Sequence, residues 1–223
     1  MNRLLLLLIP FLLLSCGGPK QDSQLPDSIG TSATKDVMKA VKSDDTLKSI
    51  IEQNINKTPV IDTVFLGFTF SMTKKEALMH YLQLVKRKKL VMNAKDQRPE
   101  YPMTFDLVKA NATVAPEFEN DKLYKLSLVI EPADDTATAQ TIYYQVATAY
   151  MKKYSDYTLF QQPNLAFPEA KHMHWIKNNL HIQLDRNSDG CVVSYINMLG
   201  EKQADRAKTT ASDSAQAQTK KDI

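Results

Sequence analysis

The chain has 223 residues, 43% of them hydrophobic, with 28 Lys and Arg against 25 Asp and Glu and a formal net charge of +3. So even a balance gives no basic stripe of the kind nucleic acid requires, and no nucleic-acid partner is expected. Of the 6 glycines only Gly67, Gly190 and Gly200 lie beyond Gly30. That excludes a glycine-rich phosphate loop, a dinucleotide fingerprint and a nucleophile elbow, and no cofactor is expected.

Met1-Asn2-Arg3 precede an apolar run from Leu4 to Leu14, interrupted only by Pro10. A basic start, a short apolar core and small residues after it describe a secretory signal peptide. The run falls short of the about 20 residues needed to span a bilayer. At its end, Leu13-Leu14-Ser15-Cys16 resembles the bacterial lipobox. That resemblance implies cleavage after Ser15, a diacylglyceryl group on the Cys16 sulfur and a fatty acyl chain such as palmitate on the new N-terminus. Two or three chains together hold a protein firmly, since each buried methylene contributes about 0.8 kcal/mol. With no aspartate directly after Cys16, the same resemblance favours the outer membrane, on its periplasmic or its surface leaflet. Gly17 to Ser23 are small and polar and read as a flexible tether.

The chain accordingly divides into a signal peptide (1–15), a lipidated tether (16–35), a folded domain (36–200) and a disordered tail (201–223). The tail is rich in Ala, Thr, Ser, Gln and Lys, with no apolar period, and cannot bury enough surface to fold. About 160 residues remain for the domain, enough for one well-filled core or two small halves, 60–131 and 132–200. With Cys16 lipidated, Cys191 has no partner for a disulfide and is expected as a buried, inert thiol.

Within the domain, Val37, Val41, Leu47, Ile50, Ile51 and Ile55 predict one broken or two short amphipathic helices. Val60 to Phe70, β-branched and aromatic, reads as a strand. Thr73-Lys74-Lys75-Glu76 has the capping-box spacing and opens a helix with the apolar stripe Ala77, Leu78, Tyr81, Leu82 and Val85. The run Lys86-Arg87-Lys88-Lys89 at its end is read as cations opposing the helix dipole. Met103 to Ala110, Thr113 to Phe118 and Leu123 to Glu131 are strand candidates, the last two joined by a hairpin at Asn120-Asp121. Asp134-Asp135-Thr136 is expected to open a second helix reaching Tyr154, with the stripe Ile142, Tyr143, Val146, Ala147, Tyr150 and Tyr154. Tyr157 to Phe160, His172 to Ile176, Leu180 to Arg186 and Cys191 to Met198 complete the strands.

The order predicts an α+β fold: antiparallel sheets covered on one face by helices, in two similar helix–strands halves. Phe65-Leu66-Gly67-Phe68-Thr69-Phe70 followed by a helix resembles the start of the folded part of small Bacteroidota lipoproteins. The order of elements also resembles β-lactamase-inhibitor and outer-membrane-assembly lipoprotein folds. Asp-Ser/Thr-apolar triplets at Asp27, Asp45, Asp62, Asp135 and Asp213 look like Bacteroidota O-glycan acceptors.

One cluster carries candidate chemistry. A two-residue turn at Asn178-Asn179 would pair 177 with 180, 175 with 182, 174 with 183, 173 with 184 and 172 with 185. Alternation then puts Met173, Trp175, Leu180, Ile182 and Leu184 on a core face, and His172, His174, His181, Gln183 and Asp185 on the other. On that second face His174 and His181 are diagonal neighbours. His172, His174, His181 and Asp185 are candidate zinc or copper ligands; a solvated polar face is the plainer reading. Asp185 to Gly190 matches the first half of a calcium loop, but Ile196 stands where a bidentate carboxylate is needed, so a hairpin turn explains it better. No hydrolase constellation is present. The expected function is a lipid-anchored, non-enzymatic binding or adaptor module for an envelope protein, peptide or glycan, using the open sheet face or the sheet edges. The alternative is a metal- or small-ligand-binding lipoprotein built on the histidine face.

Overall fold

A computed structural model describes residues 44–93, 98–106, 108–135 and 137–201. Cys16, the signal peptide, the tether and all of the tail but Glu201 lie outside the described residues. Helix α1 (44–54) is followed by a loop and then by α2 (Lys74–Lys86), β1 (Val91–Met92), β2 (Pro99–Phe105), β3 (Val108–Glu119) and β4 (Lys122–Pro132). Next come α3 (Ala139–Lys153), β5 (Thr158–Pro163), β6 (Lys171–Lys177), β7 (Leu180–Arg186) and β8 (Cys191–Asn197). All eight strands join one antiparallel sheet in the order β1-β2-β3-β4-β8-β7-β6-β5. The expected plural sheets are thus a single one.

Local chemistry explains the ends of the elements. The Thr73 hydroxyl accepts from the Glu76 N–H at 3.2 Å while the Glu76 carboxylate accepts from the Thr73 N–H at 2.8 Å, the capping box expected from sequence. At the other end Lys89 N–H donates to the Leu84 carbonyl and Lys88 N–H to the Val85 carbonyl, both at 2.9 Å, with Lys88 left-handed at φ 57°. This is a Schellman closure with lysine where glycine is preferred. Helix α3 starts later than expected: Thr138 is its cap, accepting from the Thr141 N–H, and Asp134-Asp135 lie in the preceding turn. Asn120 and Asp121, at φ 48° and 61°, make the tight turn between β3 and β4.

Two expectations are corrected here. Residues 60–70 are not a strand. A 3-10 turn at Phe65–Gly67, with Leu66 at φ 54° and Gly67 at φ 80°, folds the segment back so that Thr63 bridges Thr69. The hydrophobic composition there serves burial: Phe68 and Phe70 plug the core. Likewise Met103 to Ala110 is not one strand, because Asp106 at φ 51° turns the chain between β2 and β3. Thr113 to Phe118 lies within β3, mostly in its second half.

Helices α2 and α3 pack on one face of the sheet over Ala110, Ala112, Val114, Leu126, Leu128, Ile130, Met173, Trp175, Ile182, Leu184, Val193 and Tyr195. Helix α3 commits Ile142, Tyr143, Val146, Ala147 and Tyr150 to this core, and the buried Tyr150 and Tyr195 hydroxyls bond each other at 2.6 Å. Helix α2 buries only Ala77 and Leu84; Leu78 and Leu82 of its expected stripe are 59% and 53% exposed. The second face is also covered. Leu47, Ile50, Ile51 and Ile55, from α1 and the residue that follows it, close over Ile176 and Met198, so helices lie on both faces rather than one.

The β6–β7 turn fastens the N-terminal segment to the sheet. Asn179 is fully buried, accepts from the Ile61 N–H at 2.6 Å and donates to the Ile61 carbonyl at 2.9 Å; Asn178 donates to the Pro59 carbonyl. Removing both partners of Ile61 leaves its partly buried N–H and C=O unpaired, so Asn179→Ala should cost about 1–3 kcal/mol in urea unfolding. At Gly190 an added Cβ would lie 2.0 Å from the Ile130 carbonyl oxygen, a backbone atom that cannot step aside. Gly190→Ala should therefore destabilise by about 1–3 kcal/mol or more. A wild-type urea midpoint for either variant would contradict these packing assignments.

Candidate functional site

The pairing of β6 with β7 follows the expected register: Lys177 faces Leu180, Trp175 faces Ile182, His174 faces Gln183 and Met173 faces Leu184. The five residues assigned to the core face are buried there. The second face carries the histidines as expected, yet they are not solvated: His174 and His181 are buried.

Two separate polar groups form on this face. In the first, the His174 Nδ1 and His181 Nε2 are 3.0 Å apart, and His174 Nε2 lies 3.2 Å from Gln162 Oε1. The Gln162 amide nitrogen donates to Asp44 Oδ1 of α1 at 2.9 Å, which fixes Oε1 as the atom facing His174. Since an amide oxygen only accepts, His174 must donate through Nε2–H. Its Nδ1 is then an acceptor, and His181 donates through Nε2–H. The chain of bonds runs His181 to His174 to Gln162, with Asp44 taking the Gln162 amide proton.

In the second group, His172 Nδ1 lies 2.5 Å from Asp185 Oδ1, and the other Asp185 oxygen accepts from the Gln183 amide at 2.6 Å. Asp185 therefore holds His172 with its proton on Nδ1 and Nε2 free to accept, the orientation a carboxylate imposes on a histidine that serves as ligand or base. His172 lines a hollow of about 340 Å³ with Asp44, Gln162, Asn164 and Leu165. Among the described residues the lining is completed by Pro163 and Ala166. A larger hollow of about 600 Å³ at the far rim is lined by Asn93, Arg98, Glu100, Asn111 and Glu131.

The four candidate ligands consequently divide two and two. Among the described residues no group of three or more His, Cys, Asp or Glu is placed to hold a metal ion. The physical reason is the flat register: His174 and His181 spend their facing nitrogens on each other, and Asp185 is taken by His172 and Gln183. The Asp185–Gly190 stretch forms a hairpin turn in which Asn187 Oδ1 accepts from the Asp189 and Gly190 N–H groups. Cys191 is buried as expected, its thiol pushed up to about 12 by burial. Sequence reasoning missed Gln162 and Asp44. The β5–β6 register that sets Gln162 opposite His172 and Phe160 opposite His174 is hidden by the proline-bearing connection, and α1 reaches the site only through tertiary packing. Searches of protein-family models, curated proteins and solved structures returned no match to this chain.

Burial drives the pKa of His174 down to about 4 and that of His181 to about 3. The hydrogen bond to Asp185 raises that of His172 above its ordinary 6.5. The unfolded chain therefore binds protons at 174 and 181 that the folded one refuses. Their contribution to stability is whole above pH 6.5 and drains as pH falls toward 4 and 3. The His172 contribution has the opposite sign: whole below 6.5, lost as pH rises through its folded value. In a ring-proton NMR titration His172 should titrate above 6.5 and fall back in Asp185→Asn, while His174 and His181 stay neutral down to about pH 5. Protonation of His174 near 6.5 would refute the buried relay.

Proposed function

We propose that the protein is a lipid-anchored envelope lipoprotein, held in the outer membrane through Cys16, that works as a non-enzymatic binding module for an extended peptide segment of an envelope partner. The observation that carries the reading is the unguarded edge at β5. A sheet edge presents unpaired N–H and C=O groups and is normally blunted by shortness, charge or proline. At the other edge β1 is only 2 residues long. Strand β5 has 6 residues, Thr158-Leu159-Phe160-Gln161-Gln162-Pro163, with no charge and a proline only at its last position. Among the described residues it pairs with β6 alone.

Apolar contacts flank this edge: Leu159 is 42% and Leu165 67% exposed, and the hollow at His172 opens beside them. An added strand would take main-chain hydrogen bonds from β5 and place alternate side chains against Leu159 and into the hollow. Rigid elements hold the site, since His172 is oriented by Asp185 and Gln162 by Asp44. The element order also fits a duplicated helix–four-strand unit, with α2 opening one run, α3 the other, and β4 and β8 antiparallel at the centre. In that reading the two outer strands are counterparts, one shortened and one left open.

Two measurements test this function separately. Palmitate labelling of the full chain in its envelope should be lost in Cys16→Ala; retained labelling would remove the anchor. A photo-crosslinker at Gln161 should capture one reproducible partner, and a crosslinker at Lys109, on β3 away from that edge, should not. Placing lysines on the edge beside it (Thr158→Lys with Leu159→Lys, both exposed) should cut the crosslink yield at position 161 roughly tenfold or more, because each backbone pair denied is worth about 1 kcal/mol. An unchanged yield would place the partner elsewhere.

A further inference from the structure

The outer face of α2 is more exposed and more apolar than that of α3, whose exposed large side chains are Tyr144 and Met151, at 46% and 42%. Leu78, Met79 and Leu82 are each more than half exposed, on a helix whose buried side is Ala77 and Leu84. Four-residue spacing sets Leu78 and Leu82 one above the other, and Lys75 and Lys86 belong to the same outward side. The chain then runs through the exposed Arg87, Lys88 and Lys89 to Val91 and Met92, which are also exposed. Lys74 starts the helix, likewise exposed.

Six cations therefore accompany three exposed large apolar side chains on the helix and two just beyond it, and among the described residues none of the six is in an ion pair. The one acid on α2, Glu76, is engaged in the capping box with Thr73. Beyond the helix, Glu100 sits opposite Val91 on β2 and accepts from Asn93. The closing turn deepens the asymmetry. Lys88 sits left-handed at φ 57°, where lysine is less favourable than glycine, so a cation is kept where the backbone would prefer none.

From this combination we infer that the α2 face, Leu78, Met79 and Leu82 with the basic run Lys86 to Lys89, is a docking surface for an anionic lipid bilayer. Leucine and methionine on one side with lysines around them is the make-up of helices that lie in a membrane interface. The apolar side chains would enter the headgroup boundary, and the cations would meet the phosphates of anionic lipid. A protein tethered at one point is otherwise free to tumble; a second contact would set which side faces outward. This rests on the anchored reading proposed above, and it fixes an orientation: with α2 against the bilayer, the domain's attitude to the membrane, and that of its β5 edge, becomes defined.

All the described elements lie within residues 44–201, so a unit beginning at residue 38 keeps them and lacks both Cys16 and the leader; its binding to vesicles reports on the surface and not on the anchor. The unit should sediment with phosphatidylethanolamine vesicles containing phosphatidylglycerol, less so with added salt, and not with phosphatidylcholine vesicles. Each surface cation contributes roughly a fivefold factor in affinity. Lys86→Gln, Arg87→Gln and Lys89→Gln combined with Lys88→Gly should therefore weaken binding by nearly three orders of magnitude, roughly 600-fold. Lys88→Gly alone serves as the folding control: it relieves the left-handed lysine, should unfold at the same or higher urea, and should still bind several-fold more weakly. Leu78→Ser with Leu82→Ser should weaken binding without altering its salt dependence. Equal sedimentation of wild type and the fourfold variant, or binding indifferent to lipid charge, would overturn the inference and give the face to a protein partner. Palmitate labelling at Cys16, measured on the full chain, stands or falls independently.

Discussion

Everything in this fold hangs from the seam between β4 and β8. Their register runs from Lys125 opposite Ile196 to Ile130 opposite Cys191, and it joins two runs of strands that otherwise touch little. Strands β1 to β3 extend from one side of the seam and β5 to β7 from the other, each by local antiparallel pairing. The seam is secured on both faces: the Ser127 and Ser194 hydroxyls bond at 3.0 Å on one, and Tyr195 meets Tyr150 of α3 on the other. The absence of a side chain at Gly190 lets β8 begin hard against the Ile130 carbonyl. A long-range pairing of this kind must be closed before it can stabilise anything, so hairpins of low sequence separation have to supply its edges first.

The second face shows how a polar surface becomes an interior. Leu47, Ile50, Ile51 and Ile55 bring α1 down over Ile176 and Met198, and the neighbouring imidazoles are enclosed with it. Desolvation of this order is tolerable only when each polar atom finds a partner. The relay from His181 through His174 and Gln162 to Asp44 meets that demand with neutral rings, whereas the half-exposed His172 keeps its carboxylate. The result is a rigid polar floor next to an open edge, and rigidity at the edge lowers the entropic cost of fixing a strand against it.

Much of this was legible in the chain. The tight Asn178-Asn179 turn between alternating segments dictated the β6–β7 register, and with it the diagonal His174–His181 contact and the core role of Trp175. Thr73 and Glu76 announced the start of α2 because a capping box is a local device. What failed was everything decided at a distance. Val60 to Phe70 has strand composition, but the left-handed Leu66 and Gly67 turn it back on itself, and composition reports burial rather than direction. The apolar positions of α1 say that the helix hides one side without saying behind which strands. Leu78 and Leu82 sit at core spacing, yet the sheet under α2 meets the side centred on Ala77 and Leu84, and no pattern within the helix could have chosen between them.

Cys191 occupies the last pair of the seam, opposite Ile130, buried, with its thiol held protonated by its surroundings. A thiol in that state is chemically silent while the seam is shut and ordinary once it opens. With Cys16 carrying lipid it would also be the chain's sole free sulfhydryl. The protein thus contains its own timer. The rate at which an added thiol reagent consumes Cys191 counts the openings of the one junction on which both halves of the sheet depend, with no label introduced and no residue changed.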